Sequence, residues 1–504
     1  SDPDARAVSI NADATHAMAE WVVETLKSGR SSYEAARSIA RRLGAHRRGA
    51  QCEVMFWAPE LLEQRVPQGD IFVEVLDLDG EATLERARQT VVFRRALVPV
   101  ERVDAWVMAS IDGMRPGSRE RIGSFYALGW RDAEGVWRRI LDPLAASLPF
   151  GAFAPAEYYD VEGMQAARAD RGYFEALAGA AEAEPAKIGP AVNILQIHVP
   201  TATASMSVAG LTRAIEALAE RVRQDVNLEP SERIFLGYEA IQLMPVEPTT
   251  VYEAGPAFWS EIESDDGRVI VDLRRPDTTN WGYDVVISGT AAVNPALLES
   301  GRPDELVDLA AALHNFPFRP KKLIFDVVFG HSDNQGLGAL NHHYFAGPNM
   351  YGQNINYHHP VVRAVLLEMQ RRKVDFGADG VRVDGAQDFK WWDVDSDQLR
   401  HDDAFLQEMS DIVQEVCGVR YRPWMIFEDG RPWPEEDWEL SSDYRAVIEQ
   451  QRDDDVFQWG PLTFAHNTPF LYTFWLTKYW RIREIVEKGS NWISGCATHD
   501  TLRR

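Results

Sequence analysis

The sequence predicts an α/β protein: a (β/α)8 TIM-type barrel, truncated at its C-terminal end, preceded by an N-terminal helical segment and a β-sandwich-like domain. Three observations carry this reading. From about Asn193 onward, short apolar runs alternate with amphipathic segments of helical period. Between Gln51 and Leu141 the runs are short, apolar or alternating, and cut by Gly, Pro and Asp. The 504 residues, 45% apolar and 26% charged, suffice for two or three ordinary globular domains.

In chain order, residues 1–48 read as a helical segment. Met18, Trp21, Val22 and Leu26 recur at helical spacing, and a second helix opens on the capping pattern Ser31 to Glu34 and stops at Gly44. Residues 49–145 read as the β-rich domain, with CEVMFWAPEL, DIFVEVLDL, QTVVFRRALVPV and RVDAWVMASI as strands. Residues 146–190 read as a linker lying on the barrel, and 191–504 as the barrel, with a short insert at 329–359. Its strands are expected in NILQIHV, AIQLMPVEP, KLIFDVVF, GVRVDG, PWMIFED and NWISGCATHD. Helices are expected at 208–222, at Pro360 to Lys373 with Pro at the first position, near 398–416 and near 470–488.

The formal net charge of −25 repels nucleic acid and anionic membranes, so neither is an expected partner; a neutral small molecule in a salty solvent fits better. No apolar run reaches the ~18 residues of a membrane span. Cys52, Cys417 and Cys496 are odd in number and far apart, which points to a reducing, cytoplasmic setting without disulfides. The N-terminus has neither the basic region nor the apolar core of a signal peptide. The sequence leaves a homo-oligomer open.

Four strand ends carry carboxylates or histidines: Asp326 with His331, Arg382 with Asp384, Glu428, and His499 with Asp500. In a barrel such ends converge on one mouth. Arg382 and Asp384 are two apart and share a strand face, so the guanidinium would hold the carboxylate ionised, as a nucleophile requires. The competing reading is a buried ion-pair network.

These segments resemble the signatures of glycoside hydrolase family 13, the α-amylase family, over residues 190–504. FDVVFGHSD, GADGVRVDGAQD, MIFEDG and CATHDT are similar to its four ordered motifs, and NWGYD to the loop that sets a tyrosine under the first sugar. The resemblance implies a retaining mechanism with catalytic Asp384 (nucleophile), Glu428 (acid/base) and Asp500 (transition-state stabiliser). It implies substrate contacts from Tyr283, Asp326, His331, Arg382 and His499. Glu428 would have to stay protonated near neutral pH, its carboxyl raised by apolar neighbours and by Asp384 and Asp500.

The departures narrow the substrate. Starch enzymes of the family often place Lys-His after the nucleophile, facing the acceptor sugar; here Gln387 and Asp388 stand there. The family's frequent calcium-binding Asn is Gly330 here, so no cofactor is required and calcium is disfavoured. The short insert fits a pocket rather than a polymer cleft. Within the family the pattern is most similar to glucosylglycerol hydrolases, which implies a small α-glucoside broken down to glucose and glycerol. The alternatives are a transglycosylase, phosphorylase or isomerase on the same site, and a non-catalytic sugar-binding barrel. Trp391 and Trp392 read as a sugar platform or as core. The pairs His342–His343 and His358–His359 lack fixed ligand spacing, so no metal site is expected. The run Asp453–Asp454–Asp455 reads as a solvated loop.

Overall fold

The computed structural model of the chain describes residues 7–251, 258–277, 280–428 and 499, together with the backbone of 456–458 and 492–493. The expected helix near 470–488, the acidic run 453–455, Cys496 and Asp500 lie outside the described residues.

The chain opens with helices Ala12–Lys27 and Ser32–Ala40. The Asn11 side chain caps the first, and Ser31 and Glu34 form a reciprocal capping box on the second. The second helix ends at Ala40, short of Gly44, because Gly44 begins the strand Gly44–Arg48 instead.

Two antiparallel sheets follow. One holds strands Gln51–Trp57 and Trp106–Asp112 with edge strand Gly44–Arg48; the other centres on Ile71–Leu78, Arg88–Pro99 and Phe125–Arg131. Alternation places Val54, Phe56, Val107 and Ala109 of the first sheet in one buried cluster with Val73, Val75, Val98 and Leu128 of the second. The second sheet draws on more of the chain than 49–145. Strands Trp259–Ser264 and Arg268–Arg274, assigned to the barrel on sequence, form a hairpin whose second strand pairs with Arg88–Pro99. Its alternating pattern, with Val269, Val271 and Leu273 buried, finds an apolar face in that sheet and not in the barrel.

The barrel sheet has seven parallel strands among the described residues, paired in sequence order. They are β1 (Ile194–Ile197), β2 (Ala240–Leu243), β3 (Lys322–Val327), β4 (Gly380–Val383), β5 (Trp424–Glu428), β6 (Val456–Gln458) and β7 (Trp492–Ile493). Around them lie α1 (Val208–Arg223), α2 (Asp304–His314), α3 (Pro360–Val374) and α4 (Asp403–Ser410). In α1 the buried residues Val208, Leu211, Ile215 and Leu218 fall on one face, as an outer-layer helix requires. The helix expected near 398–416 shortens to α4, flanked by strands Gln398–His401 and Gln414–Val416. His499, beyond β7, donates its backbone N–H to Gln196 of β1 at 3.1 Å, so the last described residue returns to the first strand.

Helix α3 lies between barrel and N-terminal segment, packing on Ser32–Ala40. Arg372 at its C-terminal end donates to the Leu43 carbonyl at 2.6 Å and to the Leu144 carbonyl at 3.1 Å. The segment 146–190 is more ordered than a linker, with helices Val161–Ala166 and Arg171–Ala180. It is tied to the barrel base by His314, at the end of α2. His314 is fully buried, with Nδ1 2.7 Å from Asp170 and Nε2 2.8 Å from Asp379, while Asp379 also accepts from the Leu323 backbone at the start of β3. Burial opposes charging of this imidazole, but Asp379 and Asp170 outweigh it and push His314 up to about 9.

A raised folded-state value means that this stabilisation is complete below the ordinary histidine value of 6.5 and is lost as pH rises through about 9. His314→Gln should therefore lower unfolding free energy on the order of 3 kcal/mol at pH 6. The difference from the parent protein should shrink towards pH 10, as read by urea denaturation across that range.

Candidate active site

The site is built on one register. Parallel pairing sets Arg382 of β4 opposite Asp326 of β3 and beside Ile426 of β5. Val381 and Val383 alternate to the other face and are fully buried. Two residues past Arg382, the chain reaches Asp384, whose backbone N–H extends the ladder to the Val327 carbonyl at 3.0 Å. Glu428 is the last residue of β5.

Arg382 is the hub. Its Nη1 donates to both oxygens of Asp326 at 2.9 and 3.0 Å and to Asp384 Oδ1 at 2.8 Å, and its Nη2 lies 2.8 Å from Glu428 Oε2. Glu428 Oε2 also accepts the Gly385 backbone N–H at 2.8 Å. The Asp384 and Glu428 carboxyls are held by the same guanidinium and act on one another electrostatically. One guanidinium thus faces three acids in a buried place, where a carboxylate without compensation is very costly.

The acids respond by holding protons. Burial pushes Asp326 up to about 6 despite Arg382 and the donated Tyr283 hydroxyl. Burial and then the adjoining Glu428 raise Asp384 well above the carboxylate range. Burial would raise Glu428 too, but Arg382 and the Gly385 N–H bring it below its ordinary value. The reaction implied by the sequence needs an ionised Asp384 and a protonated Glu428, whereas in this structure Asp384 is raised and Glu428 lowered. Arg382, and after it the Gly385 N–H, favour the Glu428 anion, while burial and the adjoining Glu428 disfavour that of Asp384.

Tyr283 arrives from the loop after β2. Its hydroxyl donates to Asp326 at 2.6 Å and its ring stacks on His499 at 4.4 Å. The bend that delivers it requires Gly282, at φ +108°, where a Cβ would stand 2.5 Å from the Pro245 carbonyl oxygen. The Asn280 side chain accepts the Gly282 N–H at 2.7 Å, and Trp281 donates to Asp284 at 3.0 Å. His331 donates Nε2–H to the Tyr283 carbonyl at 2.9 Å, which leaves Nδ1 as its acceptor.

A cavity of about 850 Å³ opens above these residues, lined among others by Asp384, Glu428, Tyr283, His331 and His499. Gln387 and Asp388, on a short turn after β4, also line it. Asp326 and Arg382 do not. Both are about 1% exposed and sit one layer deeper, beneath the carboxyl pair to which Arg382 bonds. Asp500 is outside the described residues. At Gly330 a Cβ would stand 3.1 Å from the Phe389 ring, so the position where the family often offers a calcium ligand has no room for a side chain unless the ring gives way.

Several lining residues escaped the sequence reading, among them Tyr351, which packs on His331 at 4.8 Å, and Met350, Asn354 and Lys390. Trp391, read as a sugar platform or as core, does line the cavity, with His358 stacked on it at 4.2 Å. Below, Gln242 donates to Asp326 at 3.2 Å, and its register partner Gln196 meets His499. A glutamine at the same position in two apolar strands, ILQI and AIQL, was the available signal.

A family model described as hypothetical glycoside hydrolase 5 matches residues 17–504. The chain belongs to that family. The carboxyl-bearing strand ends are its candidate active site. Among solved structures, it is similar to a pullulanase from Anoxybacillus sp. LM18-11 complexed with maltotriose, at 14% identity and TM-score 0.53, covering 90% of this chain and 59% of that one. It is also similar to the catalytic module of the pneumococcal glycogen-degrading virulence factor SpuA in complex with an inhibitor, at 17% identity and TM-score 0.51, covering 87% of this chain and 58% of that one. At such identity the likeness establishes the fold alone, a TIM barrel of mixed α/β content. The chain spans less than two thirds of either structure. No curated protein matches the chain.

Removing the Tyr283 hydroxyl isolates one strand of this network. Tyr283→Phe should push the Asp326 carboxyl above its value of about 6, as read by carbon-13 NMR titration, because a hydrogen bond to the anion is lost. The same change should cost about 1–2 kcal/mol of unfolding free energy in urea.

Proposed function

We propose that this protein is a retaining α-glycoside hydrolase that acts on a small α-glucoside, glucosylglycerol being the favoured substrate. The observation that carries the reading is the Asp384–Glu428 pair, meeting over Arg382 at the floor of a cavity walled by aromatic and amide side chains.

The pair already has the proton inventory that the reaction needs. A retaining cycle starts with one carboxylate and one carboxylic acid. In the proposed cycle the two share one proton, favoured on Asp384 at rest because burial and the adjoining Glu428 raise its carboxyl. Transfer of that proton to Glu428 produces the reactive form, with Asp384 ionised and held by Arg382 Nη1. A glucosyl ring entering between them would part the carboxyls towards the ~5–5.5 Å of retaining enzymes. Asp384 attacks the anomeric carbon while the C–O bond to the aglycone breaks, and Glu428 protonates the departing oxygen. Water then gives a proton to Glu428 and adds to the anomeric carbon, freeing Asp384. His331, with Nδ1 as acceptor, and His499 line the cavity and are assigned the binding of sugar hydroxyls; Asp500, outside the described residues, is assigned the transition-state-stabilising role. Gln387 and Asp388 present polar groups for a polyol aglycone where starch enzymes often carry Lys-His. Trp391 and Trp392, the latter 55% exposed, flank this side.

We place the reaction in the cytoplasm. Cys52 and Cys417 are free, and among the described residues no helix is long and apolar enough to cross a membrane.

The test is a panel of α-glucosides with released glucose as the readout. Glucosylglycerol should be cleaved much faster than starch, and added glycerol or phosphate should not divert the glucosyl group. Rapid starch cleavage with an inert glucosylglycerol overturns the substrate; a phosphorylated or transferred product overturns hydrolysis. Asp384→Asn and Glu428→Gln should each lower kcat by at least ~10³-fold. The pH profile should be bell-shaped, because activity is lost when the pair gains a second proton or gives up its only one.

A further inference from the structure

We propose that Glu63, His342 and His343 form a divalent transition-metal site of the zinc type, joining the N-terminal β-domain to the insert that walls the active-site cavity. Glu63 ends the helix Pro59–Glu63 that follows the first sheet; the two histidines open the hairpin of the insert, about 280 residues later. The fold brings them together. His343 Nε2 lies 2.8 Å from Glu63 Oε1, His342 Nδ1 lies 3.7 Å from Glu63 Oε2, and one ligand atom from each residue falls within a 4.8 Å group.

Two imidazoles and a carboxylate are a donor set that zinc-type ions favour. Ligand bonds of ~2.0–2.1 Å in a tetrahedron place donors roughly 3.4 Å apart, so the widest pair needs to close by up to about 1.4 Å while the 2.8 Å His343–Glu63 pair opens slightly. His342, the most exposed of the three, can supply that movement by a side-chain rotation. Its neighbour is already fixed. The Asn341 side chain accepts the His343 N–H at 3.1 Å, Asn356 donates to the His343 carbonyl at 3.1 Å, and the Trp57 ring lies 5.8 Å from the imidazole. A second observation points to the same place. Glu60, one turn before Glu63, has a buried Oε2 without a hydrogen-bond partner, and it lies within electrostatic range of both Glu63 and His343. A metal-bound water or a ligating imidazole N–H would give that oxygen its partner. The three donors remain solvent-accessible, so an ion has a path in, and the net charge of −25 attracts cations.

The hairpin from Phe345 to Ile355 carries Asn349, Met350, Tyr351 and Asn354 from these histidines to the cavity wall. Metal binding would therefore fix the wall against the N-terminal domain. The test uses the full chain after chelator treatment, titrated with Zn²⁺ by calorimetry and with Co²⁺ by visible absorption. One equivalent of each ion is expected to bind, with an intense Co²⁺ band of four- or five-coordinate geometry and a rise in Tm with Zn²⁺. Glu60→Gln should weaken affinity roughly 10-fold. The double variant H342A/H343A should lose the band and the Tm response to Zn²⁺, whatever its own metal-free Tm. Binding at less than one equivalent, or a band and Tm response that persist in the double variant, overturns the proposal.

Discussion

A single guanidinium shared among three carboxyl groups is the constraint around which the catalytic floor is arranged. With Asp326, Asp384 and Glu428 all ionised, Arg382 would leave two uncompensated negative charges, with Asp326 and the guanidinium fully buried and the other two acids partly exposed at the cavity. Such a state is costly. The site relieves it by burying Asp326 under Tyr283 and Gln242, each of which donates a hydrogen bond, and by favouring a proton on Asp384, whose carboxyl is raised by burial and the adjoining Glu428. What looks like a tolerance of buried charge is thus a proton store. The reaction proposed above needs one proton shuttling between two acids, and the electrostatics of Arg382 set that number before any sugar arrives.

This arrangement also explains which parts of the site could be read from the sequence. Residues two apart on a strand must share a face, so Arg382 and Asp384 could be paired from spacing alone. Depth could not be read in the same way. Whether Asp326 meets the ligand or supports those that do depends on the register of β3 against β4, and no local pattern encodes a register between strands more than 50 residues apart. The direction of the Asp384–Glu428 proton was equally hidden, because it turns on Arg382 and, after it, the Gly385 backbone N–H donated to Glu428. Apolar neighbours such as Trp424 and Phe427, the visible part of the pattern, suggested the opposite.

The fold followed the same rule. Strands with strong apolar runs and helices with clear period were legible: β3, β4, β5, α1 and α3 fall where the pattern places them. The hairpin 259–274 was not, although its alternation is clear, because alternation states that a strand has one apolar face without stating which sheet covers it. Lying between β2 and β3, it seemed part of the barrel. Likewise α4 is bracketed by short strands in a stretch that reads as one helix, since Gln398–His401 is stabilised by pairing with Lys390–Asp393 rather than by its own composition.

That misplaced hairpin changes how the N-terminal domain is understood. The chain leaves β2 at Leu243, passes through the N-terminal sheet at 259–274, and returns to the barrel mouth with Trp281 and Tyr283. Thr249 then bridges Val285, and Asp333 donates its N–H to the Val285 carbonyl at 2.7 Å, locking the returning loop beside His331. On the opposite wall, Trp57 of the first sheet packs on His343, Tyr344 and His359 of the insert segment. Both sides of the cavity are therefore positioned by residues whose own place depends on the β-domain. A detachable carbohydrate-binding module would leave its catalytic partner complete when removed. Here the tyrosine that donates to Asp326 follows a hairpin paired into that very sheet, so stability in the β-domain is a condition of geometry at the cavity.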